Sequence, residues 1–158
     1  MQTSYNQYND ELQLGRIYDT SLRQIDSFLA VGAIGIAKAV IRSTDPARQV
    51  AQAGTGAGQG ALIIGVAILS ETVEQSSAGV VAYADKEAVP VMRKGRVVVE
   101  TNDAVVAGAV ANFHLASGKW TDEAVAAGIE ATPQLRGRFV TGTTAAGLAA
   151  VEFVNILA

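Results

Sequence analysis

His114 is the only histidine, and it stands at strand spacing beside Phe113 and Leu115 with no Asp or Glu within three residues. A general base needs a neighbour that orients it and a substrate within hydrogen-bond reach, so a histidine alone in this setting reads as a structural residue. Asp122, Glu123 and Glu130 are potential partners for one another, as are Glu71 and Glu74, yet nothing in the sequence places either group in a cleft. The hydroxyls of Thr141, Thr143 and Thr144 have no base nearby in sequence. There is no cysteine, which excludes disulfides and thiolate zinc sites. One histidine cannot build a metal cluster, and no Asp-x-Asp-x-Asp-Gly loop offers calcium a site. The expectation is a non-enzymatic protein with no catalytic, cofactor-binding or metal-binding residues.

Gly54-Thr55-Gly56-Ala57-Gly58-Gln59-Gly60 invites a phosphate-binding reading. The dinucleotide fingerprint requires Gly-x-Gly-x-x-Gly, and the third glycine here is out of phase. A P-loop requires Lys followed by Ser or Thr after its last glycine, and Gly60 is followed by Ala61. The stretch reads as a plain surface loop. Two cationic segments remain, Arg93-Lys94-Gly95-Arg96 and Arg136-Gly137-Arg138. Both read as turns that serve solubility or dock on an acidic protein surface. The first is flanked by Val89 and Val91 before it and by Val97 to Val99 after it, so 85–101 reads as a hairpin with Gly95 supplying a positive φ at its tip. Pro90 has no N–H for a ladder, so the first strand of the hairpin is an edge strand or starts near Pro90. Replacing Arg93, Lys94 and Arg96 with Ser is then expected to leave folding intact.

The elements that carry these residues are short and extended. Ile34, Ile36, Lys38, Val40 and Arg42 alternate with Ala37, Ala39 and Ile41 as one strand, which Asp45-Pro46 ends. Residues 61–69 read as a buried strand, 80–84 as a strand entering the hairpin, and 112–115 as a strand whose turn at Ser117-Gly118 returns Trp120. Thr121-Asp122-Glu123 resembles a helix start that Gly128 limits to about two turns. Residues 133–140 and 149–157 close the domain, with Val151 and Phe153 on one face of the last strand and Glu152 and Val154 on the other. Short strands punctuated by glycine predict a mainly β fold. It would be an antiparallel β-sandwich or barrel, jelly-roll-like, with at most short helices.

A chain of 158 residues is long enough for one self-standing core. That core must be lean, because the apolar content is mostly Ala and Val, with 16 Gly, four Phe and one Trp. Twelve basic against fifteen acidic residues leave a charge of −3, which offers no field for nucleic acid. The longest apolar run is too short to span a bilayer, and the polar N-terminus lacks a secretory pattern, so no membrane partner is expected. Residues 1–29 read as an extended N-terminal arm, in which Tyr18 to Leu29 could also form a short helix with Leu22, Ile25, Phe28 and Leu29 on one face, and 30–158 read as a single β domain. Tyr5, Tyr8 and Tyr18 in that arm suit a contact surface that orders on assembly.

The order of these segments resembles the structural cement, or capsid decoration, proteins of tailed bacteriophages. The resemblance rests on Gly65-Val66-Ala67, on Tyr83, and on the run from Ala88 to Val99 with its Val-Pro-Val-x-x-x-Gly-x-Val-x-Val pattern. It continues through Val105 to Gly108 and Arg138-Phe139-Val140-Thr141-Gly142 to Ala150-Val151-Glu152-Phe153. It implies a protein assembled in the host cytoplasm onto the outer surface of an icosahedral capsid. There it would act as a homotrimer that bridges neighbouring major capsid subunits. The candidate capsid or subunit contacts are Tyr5, Tyr8, Tyr18, Arg93, Lys94, Arg96, Arg136 and Arg138. The competing readings are another oligomeric virion module, such as a tail or fibre base, and a small-ligand or carbohydrate-binding β domain.

Overall fold

Thirteen consecutive residues, Ala88–Glu100, form one strand where the sequence predicts a hairpin. Gly95 does adopt a positive φ, +129°, as a tip glycine would. The chain nevertheless runs straight on, because Lys94, Gly95 and Arg96 each face a residue of the terminal strand: Val154, Phe153 and Glu152. The glycine answers a packing need. A Cβ at Gly95 would come within 2.9 Å of Arg23 Cβ and 3.2 Å of Met92 Sδ. Gly95 has the backbone conformation of a tip glycine without reversing the chain.

The computed structural model describes residues 12–19, 22–69 and 81–155. Tyr5, Tyr8, Glu71, Glu74 and the turn expected at Ser76 lie outside them. In chain order the strands are β1 (Gln24–Ala30), β2 (Ile34–Gly35), β3 (Ala39–Arg42), β4 (Gln49–Gln52), β5 (Ile63–Ala67) and β6 (Ala82–Tyr83). They continue as β7 (Ala88–Glu100), β8 (Val110–His114), β9 (Lys119–Thr121), β10 (Ile129–Glu130), β11 (Leu135–Phe139) and β12 (Leu148–Asn155). The fold is mainly β, as expected. Among the described residues the only helical piece is a 3-10 turn at Gly60–Leu62.

Two rings of strands share β7. Its first half pairs with β1 on one edge and β5 on the other, and β5–β3–β4–β1 completes the circuit through a short parallel pairing of β1 and β4. Its second half pairs with β12, which leads through β11 and β8 to β9. A parallel bridge between Thr101 and Trp120 brings β9 back to the end of β7. Closure of this kind leaves few free edges for indiscriminate pairing. Residues 12–19 lie along β7 as well: the Gly15 N–H donates to Val98 O at 2.8 Å and the Tyr18 N–H to Arg96 O at 2.9 Å.

Each ring has its own core. Phe28, Ile34, Val40, Val50, Tyr83 and Val89 fill the first. Phe113, Trp120, Leu135, Phe139, Val151 and Phe153 fill the second. All five residues of β5 are buried because it walls both cores: Ile64 and Ala67 face one cluster, Ile63 and Val66 the other. That placement explains a continuous apolar run instead of an alternating one.

Three further expectations are corrected. Residues 34–42 are two strands, since Ala37 takes φ +58° between β2 and β3. Thr121 to Glu123 start no helix: the Glu123 N–H donates to Thr121 Oγ1 in a local turn that leads to β10. Pro90 does not mark an edge strand, since β7 is the most central strand of all, and the proline stands instead near the start of that strand, which begins at Ala88. Its missing N–H falls just past the end of β5, where Ile68 donates to Pro90 O at 3.0 Å and receives no ladder donor in return. The buried Tyr83 hydroxyl takes that place and donates to Ile68 O at 2.5 Å. Tyr83→Phe should therefore leave a buried carbonyl unsatisfied and cost about 1–3 kcal/mol, read from urea unfolding midpoints at constant m-value.

The glycine-rich loop is more ordered than a plain surface loop. The Glu130 carboxylate receives the Gly58 N–H and the Gly60 N–H, each at 2.6 Å. A Cβ at Gly60 would sit 2.6 Å from Glu130 Cβ and 2.7 Å from Ala131 O. The loop is a cradle for the protein's own carboxylate, and it ties the β4–β5 connection to β10.

Candidate binding face

The second cationic segment is also strand, not turn. In β11 the residues Leu135, Gly137 and Phe139 are buried, and Arg136 and Arg138 are exposed between them. Gly137 is required on the inner side, where a Cβ would stand 2.7 Å from Phe153 Cε1 and 3.0 Å from Ala111 Cβ. Cross-strand partners in a sheet share a face. Arg138 lies opposite both Val110 of β8 and Glu152 of β12, and Glu152 lies opposite Arg96 of β7. Arg136 lies opposite Val154, which lies opposite Lys94. Four cations and two exposed valines thus share one outward surface of β7, β12, β11 and β8.

Not all of these cations are free. Arg96 donates to Asp19 at 2.7 Å and pairs with Glu152 at 3.2 Å. The hydrogen bond and charge of Asp19, and then those of Glu152, push its guanidinium pKa further above its already high value. Tyr18 lies next to this pair and is 41% exposed. Arg93 is set apart. It is bound to Asp26 at 2.9 Å with a side chain only 12% exposed, and its Nε has no partner. It is a largely covered residue of the β1–β7 pairing. The triple Ser replacement would therefore remove an ion pair between β1 and β7 as well as surface charge. Asp26→Ala, which strands the Arg93 charge, should cost about 2 kcal/mol. Lys94→Ser should stay within about 0.5 kcal/mol. Thermal melts of the two single variants separate these outcomes.

Arg136, Arg138 and Lys94 have no hydrogen-bond or ion-pair partner among the described residues. The two arginines border a shallow groove with Val110, Asn112, Pro133 and Val154. Glu152 and Val154 belong to this face, and strand alternation already put them together. Asp19 and Val110 carry no sequence signal, because only the register of β8 and the course of 12–19 bring them there.

The residues considered for chemistry are dispersed. His114 Nδ1 lies 2.9 Å from Ser117 Oγ, and the Ser117 N–H points at the same nitrogen at 3.3 Å. Both contacts close the β8–β9 turn. Asp122 accepts the Val106 N–H at 2.8 Å, and Glu130 is engaged by the glycine loop. Among the described residues no three His, Cys, Asp or Glu are grouped to hold a metal ion. No helix among them is long and apolar enough to cross a membrane. Trp120 is 1% exposed inside the second core, so it offers no platform to a sugar ring.

A family model described as structural cement protein (E217 gp24/Pam3 gp6) matches residues 1–154. Among solved structures, a chain from the capsid of Myoviridae phage XM1 shares this fold, with a TM-score of 0.67 and 20% identity over 96% of this chain and 97% of that one. No curated protein matches the chain. A match over nearly the full length leads to one assignment: the chain belongs to the structural cement protein family and is a structural protein of the phage virion.

Proposed function

We propose that the protein binds the outer surface of the capsid and ties neighbouring major capsid subunits together. The observation that carries this reading is the face built by Lys94, Arg136, Arg138, Val110 and Val154 on a rigid, closed scaffold. A rigid face forfeits little entropy on docking, and many copies on one lattice turn weak contacts into avidity. Tyr18 and the segment that carries Tyr5 and Tyr8 extend the contact area. Ile25 and Leu29, exposed along β1, and Val31 just beyond its end suit contact with further copies in a homotrimer. The family itself implies a structural role without catalysis. The test is to add purified protein to expanded shells that lack it and then heat them. Saturable binding and a higher shell melting temperature are expected, and unbound protein with an unchanged melt would refute the reading.

A further inference from the structure

We infer that the groove along β11 takes an extended acidic segment of a partner protein, with carboxylates at alternate positions straddling Arg136 and Arg138. This rests on the cement reading and specifies its partner's chemistry. Arg136 and Arg138 are two residues apart on a strand, so their side chains leave the sheet about 7 Å apart on one face. An extended partner chain repeats its own side chains at the same interval, so two carboxylates at alternate positions can each meet one guanidinium. Arginine accepts a carboxylate through two parallel N–H donors, which fixes orientation as well as charge.

Charge sets the polarity of the partner. The chain as a whole carries −3, yet on this face Lys94, Arg96, Arg136 and Arg138 stand against Asp19 and Glu152, and both carboxylates are already engaged by Arg96. The two arginines of β11 and Lys94 are left uncompensated among the described residues. The apolar sites choose protein over nucleic acid. Val110 is 56% exposed and Val154 41% exposed, and Val110 pairs with Arg138 while Val154 pairs with Arg136. A phosphate backbone has nothing to place on these valines, whereas the residues between the acids of a peptide do. Because β11 is hydrogen-bonded on both edges, to β12 and β8, the segment docks on side chains and does not add a strand.

The probe is an acetylated, amidated Glu-Val-Glu-Val-Glu peptide titrated into isotope-labelled protein and followed by amide shifts. Its controls are the matching Gln-Val peptide and a short oligothymidine. The acidic peptide is expected to move the amides of Val110, Gly137 and Val154, and the Gln peptide is not. Arg136→Ser with Arg138→Ser should weaken binding at least about tenfold, and Lys at both positions should recover part of it. The inference fails on equal response to both peptides, on shifts elsewhere, or on no shift up to about 10 mM peptide, where a millimolar site would be mostly filled. Tighter capture of oligothymidine would reassign the groove to nucleic acid. A second arm uses expanded shells. If wild type binds and the double Ser variant, with an otherwise unchanged spectrum, binds equally well, this inference fails and the cement reading stands. If wild type does not bind shells, the cement reading itself fails whatever the peptide shows.

Discussion

Trp120→Ala is expected to cost about 3–5 kcal/mol and to lower the melting temperature by about 10 °C. The indole is fully enclosed, with its ring centroid 4.8 Å from Phe153 at 55° and 5.7 Å from Phe113 at 67°. In a core built largely from Ala and Val it is the largest side chain present, so its removal leaves a void that small, branched neighbours cannot fill. It also sits in β9, the strand that returns the second ring to Thr101. Trp120→Phe should be far milder. Its Nε1 has no hydrogen-bond partner, so Phe removes a buried orphan donor while it keeps most of the ring contacts. Calorimetric melts of both variants check this, and equal losses would show that the indole N–H is satisfied in solution.

Gly65→Ala is the second large effect, expected at about 3 kcal/mol or more for a single added methyl group. A Cβ there would stand 2.4 Å from Val91 Cγ1 and 2.7 Å from Met92 O. The carbonyl belongs to the backbone of β7 and cannot rotate away. Strand β5 would have to withdraw from β7 at the Val66–Met92 and Ala67–Val91 pairs, which opens the wall between the two cores. Gly56→Ala is the control, because nothing lies within 4 Å of its Cβ direction, and it should stay within about 0.5 kcal/mol. Denaturant midpoints for the two variants, with hydrogen exchange at Val66 and Ala67, distinguish local separation of β5 from a global loss.

The cation cluster shows how local and tertiary information divide. Gly95 was legible as a residue of unusual φ, and the alternation of β12 correctly placed Glu152 and Val154 together on the exposed side. Three cations around a glycine also look the same whether they tip a hairpin or lie in mid-strand. The difference is the carboxylates that meet them, Asp19 and Asp26 from one part of the chain and Glu152 from another. Those partners are 56–77 residues away from the arginines they bind, beyond any local pattern. The candidate contacts therefore separate in a way that composition could not show. Arg136 and Arg138 are open, Arg96 is engaged at the surface, and Arg93 is enclosed.

By itself the sequence determined that the protein is a lean, valine-rich β fold, that it has no histidine or cysteine constellation for metal or nucleophilic chemistry, and that its segments follow the order of a capsid cement protein. These are properties of residue type, short-range period and order. Only the tertiary structure decided that 88–100 is one strand shared by two rings, and that the glycine loop closes on Glu130. It also decided that Arg136 and Arg138 are exposed without a partner among the described residues. Each of these depends on pairing between segments far apart in the chain, and the free energy of such pairing is set by which partner arrives and not by the residue that waits for it.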